Sequence, residues 1–128
     1  MAKQSYQNLL KEKRIWYKAV RKSFCPILNE DIIFNSRGFN HLLNDGTGQP
    51  RSIKERMYRI GLLPLLIPVI KNASKISTYK KEHSKTLAKD VEYWKLSTKV
   101  GKNSAEVSVI LRKIGTGNIT FYSIWKRR

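Results

Sequence analysis

The sequence predicts an α+β fold in which N-terminal helices pack on a C-terminal antiparallel sheet of three or four strands. Three observations carry this. Apolar residues recur at helical spacing through the first half, the period changes to alternation after Asn72, and glycine-containing turn signals separate the alternating runs. With 128 residues, no internal repeat and no linker, one domain around one core is expected. It divides into a helix within 1–30, a helical part over 31–72 and the sheet over 73–128.

The first helix carries Tyr6, Leu9, Leu10, Lys13, Trp16, Tyr17, Val20 and Phe24 at three- and four-residue spacing. It is expected to stop before Cys25-Pro26, because proline pushes the residue before it out of the α region. "DIIF", Asp31 to Phe34, reads as a brief strand or an extended entry, and a short helix with Phe39, Leu42 and Leu43 on its apolar side follows until "NDGTGQP" breaks it. Ser52 and Glu55 form a capping box: the hydroxyl accepts from the third helical amide and the carboxylate reaches back. That helix has Ile53, Met57 and Ile60 on one face and Gly61 as its stop, and a last short helix is expected over Ile67 to Asn72.

"LLPLLIPVI", Leu62 to Ile70, is far shorter than the ~20 residues a membrane-crossing helix needs, so it reads as core. Beyond it come "KISTYK" (Lys75 to Lys80), then Trp94, Leu96, Thr98 and Val100, then Val107, Val109 and Leu111, then Ile119, Phe121, Ser123 and Trp125. These are the expected strands, joined by "KKEHSKTLAKD", "GKNS" and the hairpin turn "GTGN".

The 26 Lys and Arg against 9 Asp and Glu leave a net charge of +17, a field that attracts polyanions at long range. Nucleic acid is the first partner this suggests. An anionic membrane surface calls for an amphipathic anchor that the sequence does not display. The single Cys25 forms no intrachain disulfide, and no secretory signal opens the chain.

Metal-dependent hydrolysis needs converging carboxylates and histidines, and no such spacing is present; no metal or other cofactor is expected. Asp90 and Glu92 share one side of a strand, but Lys95, the lysine that a magnesium nuclease site would need beside them, points the other way. RNA cleavage through the 2'-hydroxyl asks for less: a base, an acid and cations around the phosphorane. Of the two histidines, His83 lies in a polar turn and reads as a solvated side chain. Packing beside Leu42 is the ordinary explanation for His41, but Arg37 lies one turn earlier and Arg51 ends the following glycine-rich loop. Such cations keep an imidazole neutral near pH 7, as a general base requires.

Arg59 has Glu55 four residues before it and is explained by that helical ion pair, whereas Arg56 has no acid one turn away and is left for phosphate. Ser123 and Trp125 are two apart on the last strand and emerge on one face.

The string "IIFNSRGFNHLLNDGTGQPRSIKERMYRIGLLPLLIPVI", with strands ending "VSVILRKIGTGNITFYSIWKRR", resembles the phage and mobile-element branch of the barnase, EndoU, colicin and RelE-like ribonucleases. The likeness covers Ile32 to Trp125 and is most specific in "GFNHLL", "PRSIKERM" and the terminal S-I-W, which is similar to the end of the colicin D nuclease domain. The resemblance implies metal-independent RNA cleavage, with His41, Ser123 and Trp125 in one site. The colicin has lysines close before its histidine; here Gly38, Phe39 and Asn40 stand there, leaving Arg37, Arg51 and Arg56 as contenders for the cation's duty. The expected catalytic set is therefore His41, Arg51, Arg56 and Ser123, with Arg37, Lys113, Thr116, Trp125 and Lys126 on RNA.

The expected activity is that of a toxin-type endoribonuclease acting on tRNA or another structured RNA in the bacterial cytoplasm, whether made there or delivered from another cell or a phage. An acidic immunity or antitoxin protein is the expected partner, since a complementary negative surface blocks so basic a one. The alternative is a non-catalytic RNA- or DNA-binding module of a phage or mobile element.

Overall fold

The computed structural model describes residues 5–100 and 105–127 as an α+β domain. The elements run α1 (Tyr6–Val20), β1 (Lys22–Cys25), β2 (Glu30–Ile33), α2 (Ser36–Leu43), α3 (Ile53–Gly61), a 3-10 turn (Leu63–Leu65), α4 (Leu66–Asn72), β3 (Ile76–Ser84), β4 (Lys89–Val100), β5 (Ala105–Ile114) and β6 (Ile119–Lys126). The expected turn "GKNS", 101–104, lies outside the described residues.

The sheet is larger than expected. Six described strands form it in the order β1-β2-β6-β5-β4-β3, antiparallel except where β2 lies parallel to β6 at Ile33 and Thr120. The two additional strands come from the N-terminal half. Helix α1 ends at Val20 rather than at Phe24, because Arg21 turns the chain at φ 69° and Lys22–Cys25 becomes a strand with Ser23 and Cys25 inward. A turn over Pro26–Asn29 then returns the chain as β2, with Asn29 at φ 54° donating its amide to the Pro26 carbonyl at 3.1 Å. The stretch expected to join the first two C-terminal strands is mostly strand as well, since β3 continues to Ser84 and β4 begins at Lys89.

One face of the sheet is covered. Helix α2 packs on β6, α4 packs on β4, β5 and β1, and α1 packs on α3. Leu96, Val109, Leu111, Phe121 and Ile124 from the sheet meet Leu42, Ile60, Leu63, Leu66, Val69 and Ile70, all essentially removed from water. The Leu62–Ile70 run is thus core, as its composition suggests, and no described helix is long and apolar enough to cross a membrane.

The last strand does not keep one phase. Leu111 pairs with Phe121 and Ile110 with Ser123, so Tyr122 is an additional residue, a β-bulge. Before it, Ile119 and Phe121 face the core; after it, Ile124 does. Without the bulge, alternation would carry Ser123 and Trp125 to the same face as Phe121. With it, both belong to the opposite face, where Ser123 is buried under Arg59 of α3 and Trp125 is half-buried beside it.

A candidate active site on the open sheet face

Helix α2 delivers His41. Its start is capped by Asn35, whose side chain accepts from the Gly38 amide at 3.0 Å, and Phe39 and Leu42 anchor it in the core. Gly38 sets how closely α2 lies on β6: a Cβ there would come within 2.7 Å of the Phe121 ring and would also meet its carbonyl oxygen. On the side away from this anchor the His41 ring lies against Tyr122, with centroids 4.4 Å apart. Its Nδ1 is buried with no hydrogen-bond partner, which leaves Nε2 as the accessible ring nitrogen.

The loop after α2 brings Arg51 back to it. Asp45 Oδ1 accepts from the Thr47 amide at 2.8 Å, the Thr47 hydroxyl at 2.6 Å and the Gln49 amide at 3.1 Å. Gly48 turns at φ 85°, a conformation that glycine adopts without a Cβ clash. The loop is thereby closed on itself, and Arg51 donates its amide to the Leu43 carbonyl and its Nε to the His41 carbonyl at 3.2 Å.

Helix α3 delivers Arg59. Ser52 caps the helix by accepting from the Glu55 amide at 3.1 Å, while Glu55 Oε1 accepts from Arg59 Nε at 3.0 Å. That ion pair is the one the sequence suggests, but it leaves the rest of the guanidinium available, and Nη1 donates to Ser123 Oγ at 3.2 Å. Tyr58 fixes the alignment of α3 with β6. Its hydroxyl donates to the Lys126 carbonyl at 2.7 Å and accepts from the Lys126 amide at 3.0 Å.

The sheet supplies the rest. Arg112 on β5 stands 4.4 Å from the Tyr122 ring centre with its Nε buried and unpartnered, and Tyr93 on β4 meets the same ring at 5.7 Å. Lys95 lies 5.5 Å over the Trp125 ring. Trp125 is outside the core and walls a cleft of 360 Å³ together with Glu55, Tyr58, Arg59, Lys126 and Arg127. A neighbouring hollow of 370 Å³ lies between Tyr93, Lys95, Ile110 and Tyr122 and the β3 residues Thr78, Lys80 and Glu82.

Electrostatics single out the imidazole. Burial first, then Arg51, Arg59 and Arg112, pull the His41 pKa below its ordinary 6.5, against a weaker opposing effect of Asp45. The imidazole is therefore neutral at pH 7 and has a nitrogen to accept a proton. Arg51 is itself pushed down by burial and by Arg59, so these guanidiniums crowd one another. An anion placed among them relieves that repulsion.

Of the residues expected from sequence, His41, Arg51, Ser123 and Trp125 are gathered here, while Lys126 borders the Trp125 cleft although it pairs with core-facing Val107. Arg56 is not. Its Nε donates to the Leu43 carbonyl at 3.1 Å, its Nη1 to the Tyr6 hydroxyl at 3.2 Å, and its guanidinium lies 5.9 Å over the Tyr6 ring, so it ties α3 to α2 and α1. Arg37 is exposed on the first turn of α2 and is not among the charges acting on His41. Lys113 pairs with core-facing Ile119 and so belongs to the opposite face, and Thr116 is exposed in the β5–β6 turn. His83 is on β3 rather than in a turn, exposed, with Nδ1 3.1 Å from Asp90 Oδ1.

Arg59, Arg112 and Tyr122 belong to the site without having been singled out by sequence. For Arg59 the Glu55 spacing is a complete local explanation that hides its second bond. For Tyr122 the signal is the apolar pattern itself: Phe121 and Ile124, three apart, cannot share a face of an unbroken strand.

Among the described residues, no three His, Cys, Asp or Glu side chains converge as metal ligands would. Asp90 meets His83 and Lys81, and Glu92 Oε1 accepts from the Tyr79 hydroxyl at 2.7 Å. Compared with known protein families, curated proteins and solved structures, the chain matches none.

Proposed function

We infer that the chain is a metal-independent endoribonuclease of the barnase, EndoU, colicin and RelE-like kind, cutting tRNA or another structured RNA by transesterification. The observation that carries this reading is a neutral, half-buried His41 beside the Arg59–Ser123 pair, ringed by Arg51 and Arg112, on an open and strongly basic sheet face.

In the reaction His41 Nε2 takes the proton of the ribose 2'-hydroxyl, whose oxygen attacks the adjacent phosphorus. The bond to the 5'-oxygen breaks, and that oxygen leaves with a proton taken up from solvent. A 2',3'-cyclic phosphate and a 5'-hydroxyl remain. Arg51, Arg59 and Arg112 oppose the charge that builds on the phosphorane, and Ser123, oriented by Arg59, donates its hydroxyl proton to an equatorial oxygen. Trp125, with Lys95 over its ring, offers a surface on which an unstacked base rests, and Lys126 lines the same cleft.

A toxin-type role goes with this reading, exercised in the bacterial cytoplasm and held in check by an acidic immunity or antitoxin protein. The charge of +17 is equally served by a silent RNA- or DNA-binding module, so cleavage decides between the two. Purified protein is expected to cut total RNA in EDTA and to leave 2',3'-cyclic ends. Loss of activity in chelator, or equal cutting of RNA methylated at the 2'-oxygens, would overturn the mechanism; binding without cutting would establish the module.

A further inference from the structure

A second basic groove lies on the other side of α2, outside the reaction described. Two cavities of 320 Å³ and 590 Å³ adjoin there, sharing Lys18 and Phe34, and no aspartate or glutamate lines either. Their cationic edge comes from α1. Arg14 and Lys18 are spaced i, i+4 on α1, and Arg21, the cap just past the helix at φ 69°, lines the adjoining cavity about 10 Å along the chain from Arg14. That length matches about three stacked nucleotides of one strand.

These cations are exposed, and Arg14 is the one whose position is held. Arg14 is held 5.1 Å over the Phe39 ring, and Phe39, Tyr17 and Phe34 pack on one another as an apolar wall. Lys18 and Arg21 make no ion pair with a described residue, whereas neighbouring Lys22 is paired with Asp31 at 3.3 Å. Only the thickness of α2 separates this groove from the site: Asn40 lines it, and His41, the next residue, faces Tyr122.

We propose that this groove binds the phosphate backbone of the RNA substrate beyond the nucleotides that are cut, so that α1 selects long structured RNA over short oligonucleotides. The proposal rests on the ribonuclease reading of the site. An acidic protein is the competing occupant. The spacing of the cations and their position one helix from His41 favour an RNA strand continuing out of the site.

The test uses His41→Ala protein, so that RNA stays intact, and compares a full-length tRNA with a tetranucleotide over a range of salt. Two additional sets of changes are made: R14Q/K18Q/R21Q, and K18Q/R21Q with Arg14 left on Phe39. With melting unchanged, the triple variant is expected to bind tRNA at least tenfold more weakly. The slope of log affinity against log salt should shrink by about 2 for the triple and about 1.4 for the double variant, about 0.7 per lost phosphate contact on single-stranded RNA. Tetranucleotide binding should not change. Equal losses on both RNAs, no loss on either, or an equal loss on polyglutamate of matched charge would overturn the proposal. A wild-type chain that binds tRNA without cutting it refutes the catalytic reading alone, and the groove is still decided by these slopes.

Discussion

At the scale of single residues the imidazole gives the sharpest test. Burial and three guanidiniums lower the His41 pKa, so the unfolded chain takes up a proton at higher pH than the folded one. The contribution to stability is complete above the unfolded value of 6.5 and is lost as pH falls through the folded value. On the proposed mechanism, activity should follow the same group. The acidic limb of kcat/KM should lie below 6.5, and Arg51→Met or Arg59→Gln should move it upward by removing a positive neighbour; a limb indifferent to both changes refutes His41 as the base. His41→Ala should cost about 3 kcal/mol or more in barrier with the fold intact by circular dichroism. Trp125→Ala should weaken RNA binding by about 1–3 kcal/mol and leave melting nearly unchanged, as befits a ring outside the core. A stability loss of about 3–5 kcal/mol with normal binding would instead make Trp125 a core residue. Ser123→Ala should lower single-turnover cleavage without altering the fold. Of the residues expected from sequence, His41, Ser123 and Trp125 fall within the candidate site, whereas Arg56 is tied to Leu43 and Tyr6, and Arg59 keeps its expected Glu55 pair while also reaching Ser123. An acid at helical spacing says that an arginine is paired, not that all its donors are used.

At the scale of elements the position of α2 on β6 matters most. Gly38→Ala drives a methyl group into Phe121, and because α2 carries His41, the strain should appear twice. A loss of about 1–3 kcal/mol in unfolding free energy is expected, together with a fall in kcat per folded molecule. Reduced stability with unchanged turnover would show that α2 tolerates displacement. The helices from α2 onward, the change of period after Asn72 and the turn at Gly115–Asn118 were readable because each is written locally. β1 was not, since its Lys-Ser-Phe-Cys sequence continues the apolar spacing of α1 and only Arg21 at positive φ interrupts it. The bulge was hidden for another reason. It is set by pairing with β5, and a strand read alone does not show its partner.

At the scale of the molecule, charge is the property that composition reveals most fully and topology the one it reveals least. An α+β domain follows from the order of periods, but joining β2 to β6 in parallel depends on packing 87 residues apart in the chain, from Ile33 to Thr120. The net charge leads to a further expectation: RNA affinity should fall steeply between 50 and 200 mM salt, with cleavage at subsaturating RNA falling in parallel. Binding indifferent to salt would show that the field plays no part. The parallel junction also has a meaning in time. The hairpins of β3 to β6 close over short loops, whereas seating α2 on β6 closes a long one, and long closures come late in folding. A chain emerging from the ribosome presents His41 well before Ser123 exists, so the grouping proposed here is incomplete until β6 has been synthesised and docked. Between translation and docking, the cell making the protein has an interval in which the proposed site is not yet assembled.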